Sequence, residues 1–179
     1  MVKRLLIIVL GLIAALSAVA YAAAPDAGGQ AAFTLTSTSF ADGQRMPDKH
    51  NYQSGNKSPA LQWRNAPAGT QSLLITCIDN EAALVTGKPW LHWQVYNIPA
   101  TYRGLPEAVA QGKTWKDGII QAKNDAGDYG WSGPYTGSAD HRYEFVIYAL
   151  DVAAPLSTDP AYINRHTLAT AKLVGVAGN

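Results

Sequence analysis

A mainly-β sandwich is the fold class this sequence predicts, and three observations predict it. Two apolar runs, Ser72–Ile78 and Arg142–Leu150, have strand length and polar or turn residues at their ends. Around them, short alternating segments are broken repeatedly by Gly, Pro, Asn and Asp. Helix signals gather only near the C-terminus. Many short strands with one late helix need sheets packed face to face, and that is a sandwich.

Taken in order, Phe33–Phe40 alternates weakly and is rich in Thr and Ser, as a half-exposed strand is. Ala41-Asp42-Gly43 is a turn, and an irregular polar stretch follows from Gln44 to Pro59. Leu61-Gln62-Trp63 is a short strand closed by Asn65-Ala66-Pro67-Ala68-Gly69. Ser72–Ile78 is a buried strand that ends at Asp79. After a loop from Asn80 to Pro89, Trp90–Ile98 is a strand stopped by Pro99. Thr101–Tyr135 is rich in Gly and polar residues and reads as long loops, which usually serve function when they are ordered. In Arg142–Leu150 the odd positions Tyr143, Phe145, Ile147 and Ala149 share one face, and His141 lies in register with them. Asp159 is placed to N-cap a helix with Pro160 in its first position. Gly175 is placed to end that helix after Leu173 and Val174, and the helix is expected to pack on the sheet.

Three strands deliver or border polar groups of one kind. Asp79 ends one, His92-Trp93 lies in another, and Gly133-Pro134-Tyr135 through His141-Arg142-Tyr143 leads into a third. An imidazole, a carboxylate to orient it and glycine-loop amides can together bind an oxyanion. The functional question is therefore whether Asp79, His92, Gly133 and His141 meet in space. Cys77 is the sole cysteine and lies in a buried run, so it is expected to be an inert core thiol. The five tryptophans, without interleaved basic residues, read as core and rim packing rather than a platform for nucleic-acid bases.

The first residues carry a different message. Lys3 and Arg4 precede a nearly unbroken apolar run from Leu5 to Ala20, and Ala20-Tyr21-Ala22 fits the small-residue cleavage rule. Residues 1–22 are therefore expected to be a cleaved export signal, with residues 23–179 as one domain in the periplasm or outside the cell. A single membrane-spanning helix is the alternative, and the small-residue exit favours cleavage. Cleavage removes two basic residues and no acidic one, so 12 basic residues stand against 13 acidic ones. That near-neutral body has no basic stripe for nucleic acid. Small molecules or specific proteins are the expected partners.

The order of motifs resembles the phosphatidylethanolamine-binding protein family, in its bacterial branch similar to Raf-kinase-inhibitor-like proteins. The matching pieces are Asn56-Lys57-Ser58-Pro59-Ala60-Leu61-Gln62-Trp63, Pro67-Ala68-Gly69-Thr70, and Asp79-Asn80-Glu81-Ala82. They continue through His92-Trp93-Gln94-Val95-Tyr96-Asn97-Ile98-Pro99, Gly133-Pro134, His141-Arg142-Tyr143 and the tail from His166 to Gly175, which resembles the family's closing helix. The resemblance spans Phe33 to Gly175. It implies a β-sandwich of antiparallel sheets with a C-terminal packing helix, and a small loop-built pocket for phosphate or phospholipid headgroups. It places ligand-binding roles on Asp79, His92, Gly133, Pro134, His141 and Tyr143, with Glu81, Trp90 and Tyr135 as candidate rim residues. It implies no metal and no cofactor, and a second role towards a protein partner such as a kinase or protease.

Two departures from the family pattern bear on the ligand. Asp79-Asn80-Glu81-Ala82-Ala83 lacks both prolines of the usual Asp-Pro-Asp-Ala-Pro, so a less rigid loop is expected. Tyr135 stands where a second proline is common, and its phenol could narrow the pocket or add a hydroxyl contact.

Two rival chemistries use the same residues. His92, His141 and Asp79 have the ligand types of a facial iron site. A hydrolase would need Ser132 or Ser138 with His141, but no G-x-S-x-G elbow occurs and no enzymatic activity is expected. If both pocket histidines act as imidazolium donors, anion affinity should weaken from about pH 6 to about pH 8.

Overall fold

The computed structural model describes residues 31–135 and 139–178. The expected signal segment and Ser138 lie outside the described residues. In the described residues nine strands form two sheets. They are β1 (Thr34–Thr36), β2 (Gln44–Arg45), β3 (Leu61–Arg64), β4 (Ser72–Asp79), β5 (Trp90–Pro99), β6 (Gly104–Leu105), β7 (Ile120–Gln121), β8 (His141–Leu150) and β9 (Thr167–Ala177). Two short helices join them, α1 (Ala83–Thr86) and α2 (Pro160–His166). The small sheet has the order β1-β3-β6 and the large one β2-β9-β8-β4-β5-β7.

The run Ser72–Asp79 is apolar on both faces because β4 is central: β5 and β8 flank it and both of its faces are covered. Leu73, Ile75 and Cys77 face inward with Trp93, Val95, Phe145 and Ile147, and meet Leu35, Leu61 and Trp63 of the small sheet. Trp131 stacks on Phe145 at a centroid separation of 5.8 Å and extends this core to the end of the sheet. On the other face, Leu74 and Leu150 pack against Ile163 of α2. Trp63, Trp93 and Trp131 are buried, and their indole N–H groups donate to Tyr102 O, Gln121 Oε1 and His50 O. Cys77 is fully buried, and burial pushes its thiol well above the ordinary value.

Several boundaries differ from those read in the sequence. The first strand keeps only Thr34–Thr36 of the run Phe33–Phe40. The Thr101–Tyr135 stretch contains β6 and β7, each only two residues long and supplying a sheet edge. One pair, β2 with β9, is parallel, so the sheets are not wholly antiparallel. The largest correction concerns the tail. Asp159 does cap α2, its Oδ1 accepting from Ala161 N at 2.9 Å and Tyr162 N at 3.3 Å. The helix stops at His166, however, and Thr167–Ala177 is the longest strand among the described residues. Its first residues alternate half-buried and exposed, the period of a strand covered on one face. Pairing along all of β8 outweighs the helical reading of Ala169, Ala171 and Leu173.

Candidate functional site at the end of the large sheet

Antiparallel pairing brings the end of β4 level with the starts of β5 and β8. Asp79 stands opposite Trp90 on one side and Tyr143 on the other. His141, two residues before Tyr143, shares its face. His92 should point away, because Trp93 beside it is a core residue. A bulge resolves the conflict: Cys77 pairs with Trp93 but Ile78 pairs with Leu91, leaving His92 as the extra residue. Such bulges re-aim side chains, and both His92 and Trp93 are buried.

Asp79 organises the site. Its side chain is 4% exposed. Oδ2 accepts from His141 Nδ1 at 2.6 Å, and Oδ1 accepts from the amides of Glu81 at 2.9 Å and Ala82 at 3.0 Å. The loop without prolines is thus tied by the aspartate that precedes it. Glu81 Oε2 adds a bond from Arg142 N at 2.6 Å, fastening this loop to the start of β8.

The Gly133 loop is clamped between β5 and residues 50–56. His92 Nδ1 donates to Ser132 O at 2.6 Å, and Ser132 N donates to His92 O at 3.0 Å. Trp131 Nε1 donates to His50 O, Tyr52 N to Pro134 O, and Gly133 N to Asn56 Oδ1 at 2.7 Å. This last bond corrects the expected role of the loop: the Gly133 amide is already engaged and is no free donor for an oxyanion. Glycine is required at 133 for a different reason. A Cβ there would overlap the His50 carbonyl oxygen and stand 2.8 Å from Tyr52 N.

Tautomers follow from these contacts. Each pocket histidine uses Nδ1 on a protein acceptor, leaving Nε2 as the ring atom a ligand can meet. Burial lowers the pKa of His92, against the opposing pull of the Ser132 carbonyl and the Asp79 charge. At neutral pH its Nε2 is therefore an acceptor, not the imidazolium donor expected from the sequence. Tyr143 packs edge-on to His92 at 4.9 Å, and burial together with the Asp79 charge drives its phenol well above the ordinary value. It remains a neutral hydroxyl.

Asp79, His92, Gly133, His141 and Tyr143 line one cavity of about 370 Å³, together with Trp90 and Tyr135 at its edge. Pro134 and Glu81 do not line it. The first offers its carbonyl to Tyr52 and the second its carboxylate to Arg142. Sequence reasoning missed Tyr52, Ala82, Val85, Thr86 and Ala126 of the lining, and His50 and Asn56 behind it. Asn56 lay within a recognised motif but showed no sign of its partner. Among the described residues, no group of three or more His, Cys, Asp or Glu side chains is arranged to hold a metal ion.

Comparison with known proteins bears on the same region. The family model for phosphatidylethanolamine-binding protein matches residues 36–178. The UPF0098 protein YbhB of Escherichia coli is 40% identical over 126 residues, covering 66% of this chain and 78% of that protein. A UPF0098 protein of Methanothermobacter thermautotrophicus is 35% identical, covering 79% of this chain and 96% of its own length. Among solved structures, Escherichia coli YbcL, described as a member of the mammalian PEBP family, aligns with a TM-score of 0.72 at 32% identity. That alignment covers 82% of this chain and 98% of YbcL.

Proposed function

The chain belongs to the phosphatidylethanolamine-binding protein family, and from that premise we propose that its cavity binds a small phosphate or phosphoester, free or as a lipid headgroup. The observation that carries this reading is the Asp79–His141 pair at 2.6 Å. In its cationic form His141 donates from both nitrogens, Nδ1 to Asp79 and Nε2 to a ligand oxygen. The neutral His92 adds an acceptor, which suits a ligand that brings its own proton, such as the P–OH of a monoanionic phosphate. Apolar surface from Ala82 and Trp90 surrounds these few polar atoms, and the low local polarity strengthens each bond. The role proposed is binding without catalysis, and residues 1–22 are proposed to export the protein.

The test is calorimetric titration of the mature protein with inorganic phosphate and glycerophosphoethanolamine, beside a His92→Ala/His141→Ala variant. Binding to the parent that disappears in the variant is the expected result. Equal binding by both proteins would place the ligand elsewhere. A second role, docking of a protein partner at the cavity mouth, draws on one further observation. Leu84 and Val85 of α1 are 90% and 85% exposed, Val85 lines the cavity, and two adjacent apolar side chains at a cavity mouth make a small patch that a protein partner would cover. A Leu84→Ser/Val85→Ser variant that keeps phosphate affinity but loses a partner would separate the two roles.

A further inference from the structure

Tyr52 lines the cavity described above and also a second one, of about 680 Å³, on its other side. The second cavity is walled by Asn56, Gln111, Asp128, Tyr129 and Trp131. The two are not independent. Asn56 holds the Gly133 amide, and the Trp131 ring lies 6.3 Å from that of His92. Tyr52 is anchored through its backbone N–H to Pro134 O, while its side chain is 47% exposed. A half-exposed tyrosine ring can change rotamer without unfolding its surroundings.

The one charged side chain lining the second cavity, among the described residues, is the Asp128 carboxylate. Asn56 uses Oδ1 on Gly133 N and Nδ2 on Trp131 O, and Gln111 uses Nε2 on the same Trp131 carbonyl at 2.8 Å. Besides the second N–H of each amide, what remains is Gln111 Oε1, the Tyr129 hydroxyl and the Asp128 carboxylate, whose side chain has no hydrogen-bond or ion-pair partner among the described residues. Lys123 Nζ lies 5.5 Å from the centroid of the Tyr129 ring and forms no ion pair with Asp128. An unpaired carboxylate beside the aromatic walls of Tyr52, Tyr129 and Trp131 favours a donor-bearing cation.

We propose that the two cavities form one divided site. A phosphoester head occupies the first, and an amine-terminated arm long enough to pass Tyr52 reaches Asp128 in the second. This extension rests on the phosphate reading of the first cavity. The divided site predicts that a two-carbon arm, held within the first cavity, gains nothing from Asp128, so arm length and charge set the preference.

The experiment is a titration series with inorganic phosphate, aminoethyl phosphate, hexyl phosphate and aminohexyl phosphate, on the parent protein and on Asp128→Asn. The substitution changes an exposed side chain and is not expected to affect folding. Aminohexyl phosphate should bind about two- to fivefold tighter than hexyl phosphate, the size of a solvent-exposed ion pair. Asp128→Asn should remove that advantage and leave inorganic phosphate affinity unchanged. Equal binding of the two hexyl ligands to the parent overturns the divided site, as does an advantage that survives Asp128→Asn. If inorganic phosphate itself fails to bind, the reading of the first cavity fails and takes the extension with it. If phosphate binds and only the amine advantage is missing, the extension alone fails.

Discussion

His92 is neutral at neutral pH because burial disfavours its charge more than the Ser132 carbonyl and Asp79 favour it. The consequence depends on what the ligand carries. Sulfate brings no proton near neutrality, so His92 must take one up before Nε2 can donate to it. Since the ring's pKa lies below its ordinary value, the protonated fraction is largest in acid and shrinks as pH rises. Sulfate affinity should therefore fall about ten- to a hundredfold between about pH 6 and about pH 8. Phosphate should show a shallower slope, because its protonated form can donate to the neutral ring. Calorimetry at several pH values measures both slopes, and a flat sulfate profile would contradict the assigned roles. That Asp79, His92 and His141 would line one cavity was legible in the sequence, because their segments border strands and carry polar groups of one chemical kind. The charge state of His92 was not, because it depends on burial and on a carbonyl forty residues away.

Among the elements, the bulge in β5 and the clamp around Gly133 do most to shape the site. A regular β5 would turn His92 out of the cavity, and strand alternation in the sequence gives no hint of the extra residue. Gly133 could be read as part of an anion loop, yet its amide belongs to Asn56 and its missing side chain makes room for His50 and Tyr52. Gly133→Ala should cost about 1–3 kcal/mol of stability, since the overlap is with backbone and not with a flexible side chain. It should also weaken phosphate binding, because the loop carries the Ser132 carbonyl that fixes the His92 tautomer. Urea unfolding beside phosphate titration checks both effects. Stability within about 0.5 kcal/mol of the parent would show that the loop adjusts freely. The buried role of His50 left no sequence signal, because that histidine lies in an irregular polar stretch. The Asp159 cap did leave one, and α2 begins where it predicted.

For the molecule as a whole, the class of fold was legible because the two most apolar runs became central strands of the larger sheet. The tail was misread because Ala, Leu and Lys suit a helix locally, while β8 offers Thr167–Ala177 a full antiparallel partner. Very short strands such as β2, β6 and β7 carry too few residues to show a period. None of the helices in the described residues is long and apolar enough to cross a membrane. If residues 1–22 direct export, mass spectrometry of the protein recovered from the envelope should give a chain beginning near Ala23, and recovery of the full-length chain alone would contradict that reading.

The central claim is that a phosphate group sits against the Nε2 atoms of two particular imidazoles. The chain has four histidines, at 50, 92, 141 and 166, so their ring nitrogens can be followed together by NMR of ¹⁵N-labelled protein during a titration with inorganic phosphate. The account predicts that the Nε2 resonances of His92 and His141 move with a common saturation curve. It predicts that His50, buried behind the loop, and His166, paired with Asp151 at 2.8 Å, stay where they are. Saturable shifts confined to His166, or no shift at His92 and His141 at any phosphate concentration, would contradict it.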